Sequence, residues 1–375
     1  MTLTELFEEN FTKYGEIGAS VCLWQDGKMV LSLGDGFWDY EQTRKWTTKT
    51  RVLIWSATKG LASTCLLHLC DREKIALSRR VTDFWPEYAE NGKGDTTLLH
   101  ILSHQAGQPA VRNREISFRD HDQVADALAH QEPLWQPGSA HGYHPRTYGF
   151  LVDELVRRIS KASVGSYFRE VFAAPLGLDL WIGLPEELAE EVAPIYAPRR
   201  NREASDEDAF YATLADQDSL TFHAFSTPAG LTVPSVMNRR DIRTHSLPSF
   251  GGIGTAEALA TFYYRTFCEP TFFSHERIAE LSETVASGND RILRLPTAFA
   301  AGFMKDPVSD SGQKIRSLFG PSPSAFGQPG AGGSLGFADP KNDVAFAYVM
   351  NQMEPGLFPN PKSLRLVRLM YGEEF

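Results

Sequence analysis

Residues 54–72 read Ile-Trp-Ser-Ala-Thr-Lys-Gly-Leu-Ala-Ser-Thr-Cys-Leu-Leu-His-Leu-Cys-Asp-Arg. A serine and a lysine three residues apart, Ser56 and Lys59, open the stretch. The apolar run behind them predicts a helix reaching Asp71, apolar enough to be buried on most sides. Residues three apart share a helical face, so the Lys59 amine can meet the Ser56 hydroxyl without a distant partner. The mouth of a helix also offers free backbone N–H groups, which can stabilise the oxyanion formed when a carbonyl is attacked. Nucleophile, base and one oxyanion donor, the Ser56 N–H, then come from a single turn. Alone the motif is weak. Ser56 reads equally well as a helix cap, and a second copy, Ser311-Gly312-Gln313-Lys314, lies in a polar loop with no apolar helix behind it.

Outward from this helix, residues 2 to 13 read as an amphipathic helix. Ile17 to Trp24 and Met29 to Leu33 flank Asp26-Gly27, a hairpin signal. From Val81 to about Leu188, short helical patterns alternate with Pro- and Gly-containing loops, and this middle section is expected to be all-helical. Residues 198–250 are irregular and polar, punctuated by Pro228, Pro234 and Pro248, which predicts long loops over a surface or cleft. Thr255 to Phe267 resumes as a helix, GGSLGFADP and DVAFAYVMN read as the strands of a second hairpin, and Ser363 to Tyr371 closes as a helix. The expected fold is α/β of the α+β kind. An antiparallel sheet flanked by helices is built from residues 1–75 and 245–375, and residues 76–244 form an inserted helical lobe. The cleft between them is the natural site.

Composition narrows the function. The 375 residues are 42% hydrophobic and 22% charged, ample for a large core. Net charge is −10, and the densest basic cluster, Arg199, Arg200 and Arg202, runs straight into Glu203, Asp206 and Glu207, so nucleic acid is not an expected partner. No apolar run approaches membrane-spanning length, and the acidic, amphipathic start lacks the layout of a secretion signal. Neither a membrane partner nor export is expected, and the location is read as cytoplasmic. Cys22, Cys65, Cys70 and Cys268 are too few and scattered for a disulfide framework and read as buried thiols.

Two other patterns compete. Gly332-Gly333-Ser334-Leu335-Gly336 matches a G-x-S-x-G elbow, which needs a helix after the serine and a histidine further along. The last histidine is His275 and the following sequence reads as strand, so the match is taken as a glycine-rich strand. His100 and His104 have the spacing of a metal pair, but no glutamate follows His100 and no third ligand is evident. No metal and no cofactor are expected. His141 and His144 are of interest only because they flank Tyr143.

At this point a resemblance carries further. IWSATKG, HILSHQAG, WQPGSAHGYHPRTYGFLVDELVRRIS, FAAPLGLDLWIGLP, GGIGTAEALATFYY and FGQPGAGGSLGFADPKNDVAFAYVMN occur in that order over nearly the whole chain. Together they are similar to class C β-lactamases and DD-peptidases and, most closely, to family VIII carboxylesterases. The resemblance implies a serine esterase in which Ser56 attacks an acyl carbonyl. Lys59 and Tyr143 share the work of taking its proton and delivering it to the leaving alcohol; as a base Lys59 must be depressed by burial or a neighbouring cation, whereas as an ammonium it would stabilise the Tyr143 phenolate. It implies that the Ala331 N–H is the second oxyanion donor and that Gln328, Gly330 and His144 border a small-molecule ester. Pro145 and Gln328 depart from the lactamase pattern, which carries Asn and Lys there. Neutral Gln and a proline cannot meet the carboxylate of a β-lactam with charge, so short neutral esters are the expected substrates. An acyltransferase, a weak β-lactamase or DD-peptidase, and a non-catalytic scaffold are the other readings. The oligomeric state is left open.

Overall fold

The structure is a computed structural model describing residues 1–199 and 205–372. Arg200 and Arg202 of the basic cluster lie outside the described residues. The chain opens with helix α1 (Leu3–Thr12), started by a capping box in which Thr2 and Glu5 satisfy each other's backbone N–H. The first hairpin follows as β1 (Gly18–Gln25) and β2 (Lys28–Gly36).

A short strand β3 (Val52–Leu53) leads through a 3₁₀ turn at Trp55–Ala57 into α2 (Thr58–Arg72). The middle section carries α3 (Leu98–Leu102), α4 (His121–His130), α5 (Thr147–Ser160) and α6 (Val164–Phe168). It is not all-helical. Strand β4 (Leu180–Ile182) lies inside it, three residues with Leu180 and Ile182 buried, too short to show a period.

The stretch read as irregular loops forms three short helices, α7 (Asp208–Ala215), α8 (Leu220–Ser226) and α9 (Arg240–Arg243). The prolines mark their connections rather than an absence of structure. Strand β5 (Gly252–Gly254) follows, then α10 (Ala256–Tyr263) and α11 (His275–Ser282). The closing segment holds β6 (Ala286–Asn289), β7 (Pro296–Phe299), β8 (Met304–Lys305), β9 (Phe326–Pro329), β10 (Leu335–Asp339), β11 (Val344–Met350) and α12 (Pro361–Met370).

Eight strands form one antiparallel sheet in the order β2-β1-β11-β10-β9-β8-β7-β6, and the first and last strands of the chain's two ends meet where β1 pairs with β11, one strand in from the β2 edge. The VAFAYVM sequence of β11 shows how both faces are filled. Ala345, Ala347 and Val349 turn small side chains toward the core containing Leu259, Phe262 and Tyr263 of α10. Val344, Phe346, Tyr348 and Met350 point the other way, into the core with Leu6 and Phe7 of α1 and Leu366 and Val367 of α12. With helices over both faces every residue of β11 is buried, and the strand reads as a continuous apolar run.

A second, three-stranded sheet in the order β3-β5-β4 ties together residues 52–53, 252–254 and 180–182. β3, at the edge of this sheet, pairs with β5 and so ties the chain just before Ser56 to residues 252–254. α2 packs its own N-terminus against α10 at Gly60, where a Cβ would stand 2.4 Å from the Tyr263 hydroxyl oxygen. That hydroxyl is buried with no hydrogen-bond partner among the described residues.

Gly60→Ala gains up to about 1 kcal/mol of helix propensity but forces a methyl into the hydroxyl, an overpacking that costs about 1–3 kcal/mol. We expect a net loss of stability that Tyr263→Phe relieves in the double mutant. Urea denaturation of the four variants checks this, and additive effects would show that the contact is not the cause.

Candidate active site

Between Val52 and Leu67 every residue is buried except Ser56. The preceding Trp55 holds φ +49, a left-handed backbone for a non-glycine residue, which presents Ser56 at a sharp turn instead of within the smooth start of a helix. The turn is braced from behind, because Ile54 N–H donates to the Gly252 carbonyl at 2.9 Å and Gly252 N–H to the Thr58 hydroxyl at 2.8 Å. Ser56 is not a helix cap, since neither the 3₁₀ turn nor α2 carries a side-chain cap.

Lys59 is fully buried, and burial alone pushes its amine well below the ordinary lysine value. Its Nζ sits among three oxygens: Ser56 Oγ at 3.2 Å, Pro145 O at 2.8 Å and Ser249 O at 2.8 Å. A neutral amine has two N–H donors and one lone pair. The two carbonyls take the donors, which leaves the lone pair for the Ser56 O–H. An ammonium has three donors for the same three oxygens. The cradle is therefore satisfied in both protonation states. Pro145, which stands where the lactamase pattern carries Asn, contributes its carbonyl. Ser249 is held for the purpose, its hydroxyl accepting from Gly149 N–H at 2.6 Å and donating to Arg146 O.

Tyr143 faces the same pocket, its ring centroid 4.9 Å from Lys59 Nζ. Burial raises its phenol far above the ordinary tyrosine value; a hydrogen bond with Ser56 works the other way, and the nearby Asp290 charge adds to the rise. Burial thus favours the uncharged form of both groups, lowering the amine and raising the phenol from the same cause. Low dielectric disfavours both charges, and no carboxylate touches Lys59 to hold it protonated.

Tyr143 is fixed by Asp290, a residue with no signal in the sequence pattern. Both carboxylate oxygens of this buried side chain accept from the Tyr143 N–H at 3.0 Å; Oδ1 also takes Ile292 and Leu293 N–H at 2.8 Å, and Oδ2 takes the Thr297 hydroxyl at 3.1 Å. Gln328, buried in β9, directs Nε2 to the Tyr143 hydroxyl at 3.5 Å and to its neighbour Pro329 O at 3.4 Å.

The remaining expected site residues divide. Ala331 opens a 3₁₀ turn on the cavity wall, and the first N–H groups of such a turn have no acceptor within it. Ser56 stands in the same relation to its own turn. Gly330 lies behind the wall, where a Cβ would come within 2.3 Å of Ile54 O; its absence lets the end of β9 close on the serine turn. His144 does not border the cavity. It is fully buried, its Nε2 accepts from Gln108 N–H at 3.1 Å and its Nδ1 meets Gly142 O at 2.7 Å; burial pushes it down to about 3.

The competing motifs separate as well. Ser334 is completely buried and its hydroxyl has no partner. Lys314 is anchored on Asp306, Gly320 O and Ser322 O, while Ser311 is in an exposed loop. His104 accepts His144 N–H at 3.0 Å and packs against Tyr143 and Tyr148. Among the described residues no cluster of three ligating side chains could hold a metal, and no helix is long and apolar enough to cross a membrane.

Ser56, Tyr143, Gln328 and Ala331 open on one cavity of about 490 Å³. Phe210, Leu214 and Phe225 from α7 and α8 close one side, and Leu231, Met353 and Phe358 line others. Buried Arg146 ties this wall down by donating to Ser226 O, Pro228 O and Leu231 O at 2.6–2.9 Å.

A serine hydroxyl against a buried lysine amine at the floor of a cavity is the equipment of a serine hydrolase. The chain belongs to the β-lactamase family, whose profile matches residues 3–367. It is 28% identical over 345 residues to an esterase/β-lactamase of Mycobacterium tuberculosis, LipL, covering 90% of this chain and 77% of that one. A penicillin-binding protein homologue from Caulobacter crescentus and a family VIII carboxylesterase each superpose with a TM-score of 0.85 at 32% identity, over 98% of this chain and 96% of theirs.

Asp290→Ala orphans the buried donors it accepts, each costing about 1–3 kcal/mol. We expect a loss of about 3 kcal/mol or more in the denaturant midpoint analysis, and a smaller loss for Asp290→Asn, which keeps an acceptor oxygen. Equal losses in the two variants would mean that the carboxylate is not a hydrogen-bond hub.

Proposed function

We propose that the protein is a carboxylesterase that forms an acyl-enzyme on Ser56. The lysine cradle carries this reading, because a buried neutral amine with both N–H groups committed to carbonyls has only its lone pair to offer, and that lone pair meets the nucleophile. The Ser56 proton passes to Lys59 Nζ as Oγ bonds to the ester carbonyl carbon. The oxyanion is received by the N–H groups of Ser56 and Ala331.

Tyr143 gives its phenolic proton to the leaving alkoxide and is reprotonated from the Lys59 ammonium, so the pair acts as one proton-sharing unit. Water then takes the place of the alcohol and the same transfers run in reverse. The likeness to LipL and to a family VIII carboxylesterase supports an ester as the substrate. Gln328 supports an uncharged one, since no cation stands at that position for a lactam carboxylate.

Ser56→Ala should abolish both ester turnover and labelling by a fluorophosphonate, while Ser334→Ala leaves labelling intact. In the wild type kcat/KM should fall on the acid side as Lys59 becomes protonated, at a pH well below the ordinary lysine value of 10.5, and on the alkaline side only above 10, where Tyr143 ionises. A pH–rate profile still climbing through pH 10 would remove Lys59 from the role of base.

Nitrocefin should be opened about five- to a hundredfold less efficiently, or worse, than p-nitrophenyl butyrate is cleaved, because an unpaired carboxylate in a partly desolvated site costs about 1–3 kcal/mol or more. Comparable kcat/KM values would make the protein a lactamase.

A further inference from the structure

We propose that the substrates are neutral esters carrying one large apolar group, alkyl or aryl, and that the α7–α8 wall selects for it; this rests on the acyl-enzyme reading of Ser56. The sequence suggested short esters, and the cavity is out of proportion to them. At roughly 30 Å³ per small group, a butyryl chain fills only about a quarter of the 490 Å³. The space falls within the range of pockets that enclose drug-sized molecules.

Its lining is also apolar far beyond the reacting atoms. Phe210 is packed into the core, yet Tyr211 and Leu214 on the same helix are only partly buried and turn toward the cavity. On the rim Val233 is 53% exposed, among the most exposed large hydrophobic residues of the described chain. Apolar surface facing water at the mouth of a site is kept against the hydrophobic effect, and a ligand that covers it recovers the difference.

The wall also excludes one class. Among the described lining residues Glu354 is the only charged side chain, 2.8 Å from Lys362 Nζ, which also lies 3.2 Å from Glu16. A carboxylate placed in the cavity would face Glu354, with Lys362 already engaged by two carboxylates. Acidic acyl groups are therefore disfavoured, and the large group is a hydrocarbon.

Two substrate series test this on the full-length protein. p-Nitrophenyl esters from acetate to decanoate lengthen the acyl side, and alkyl and benzyl butyrates followed by proton release enlarge the alcohol side. Burial of each methylene raises kcat/KM by roughly fourfold until the space fills. A rise past butyrate in the first series assigns the cavity to the acyl group; a rise in the second assigns it to the alcohol. Leu214→Trp, which fills the space, should lower the octanoate-to-acetate ratio at least tenfold, and Val233→Trp at the exposed rim should lower it without entering the packed wall.

A rate that declines beyond butyrate in both series overturns this inference and leaves the esterase reading in place. No turnover of any ester, with no adduct on Ser56, overturns both. Hydrolysis of p-nitrophenyl hydrogen glutarate as fast as that of the valerate would overturn the exclusion of acids.

Discussion

The site depends on keeping one lysine amine out of water. Among the described residues Lys59 has no carboxylate partner; its three polar neighbours are a hydroxyl and two carbonyls, which can accept from an ammonium but carry no charge to replace the hydration it would have in water. Each surrounding element can be understood by what it does for that amine. α2 supplies it, the start of α5 brings the Pro145 carbonyl, and the loop before β5 brings Ser249. The small β3-β5-β4 sheet holds the serine turn where the lone pair points.

The same economy explains why Tyr143 is anchored through its backbone. A carboxylate on the phenol would hold its proton, whereas Asp290 grips the N–H and leaves the hydroxyl to Ser56 and the longer contact from Gln328. A buried carboxylate taking several N–H donors is rigid, and its charge also opposes ionisation of the phenol nearby. Asp290 thus fixes the position of Tyr143 and adds to the effect of burial on its phenol.

Much of this was legible from the chain, for reasons that differ by element. The hairpin at Asp26-Gly27 and the β10–β11 pair announce themselves by turn residues between apolar runs, and Ser56 and Lys59 by spacing. Tyr143 needed a family resemblance, because a tyrosine flanked by histidines has no spacing that sets it apart. The groups that tune Lys59 were hidden in principle, since Pro145 and Ser249 act through carbonyls, which every residue possesses. β4 was missed because three residues show no period, and α7 and α8 because prolines nearby suggested loops. His144 was placed at the substrate by adjacency in sequence, but the turn after Tyr143 directs its ring inward.

The three-stranded sheet has a consequence for how the protein comes into being. Its strands lie at residues 52–53, 180–182 and 252–254, and the lysine cradle likewise joins residue 59 to 145 and 249. Such pairings have large sequence separation, and the loop-closure entropy they demand makes them form late. Until they form, Lys59 is hydrated and protonated at neutral pH, and the serine beside it has no base. On the proposed role of Lys59 as base, a growing or partly folded chain is therefore chemically silent, and Ser56 gains its reactivity only with the completion of tertiary structure.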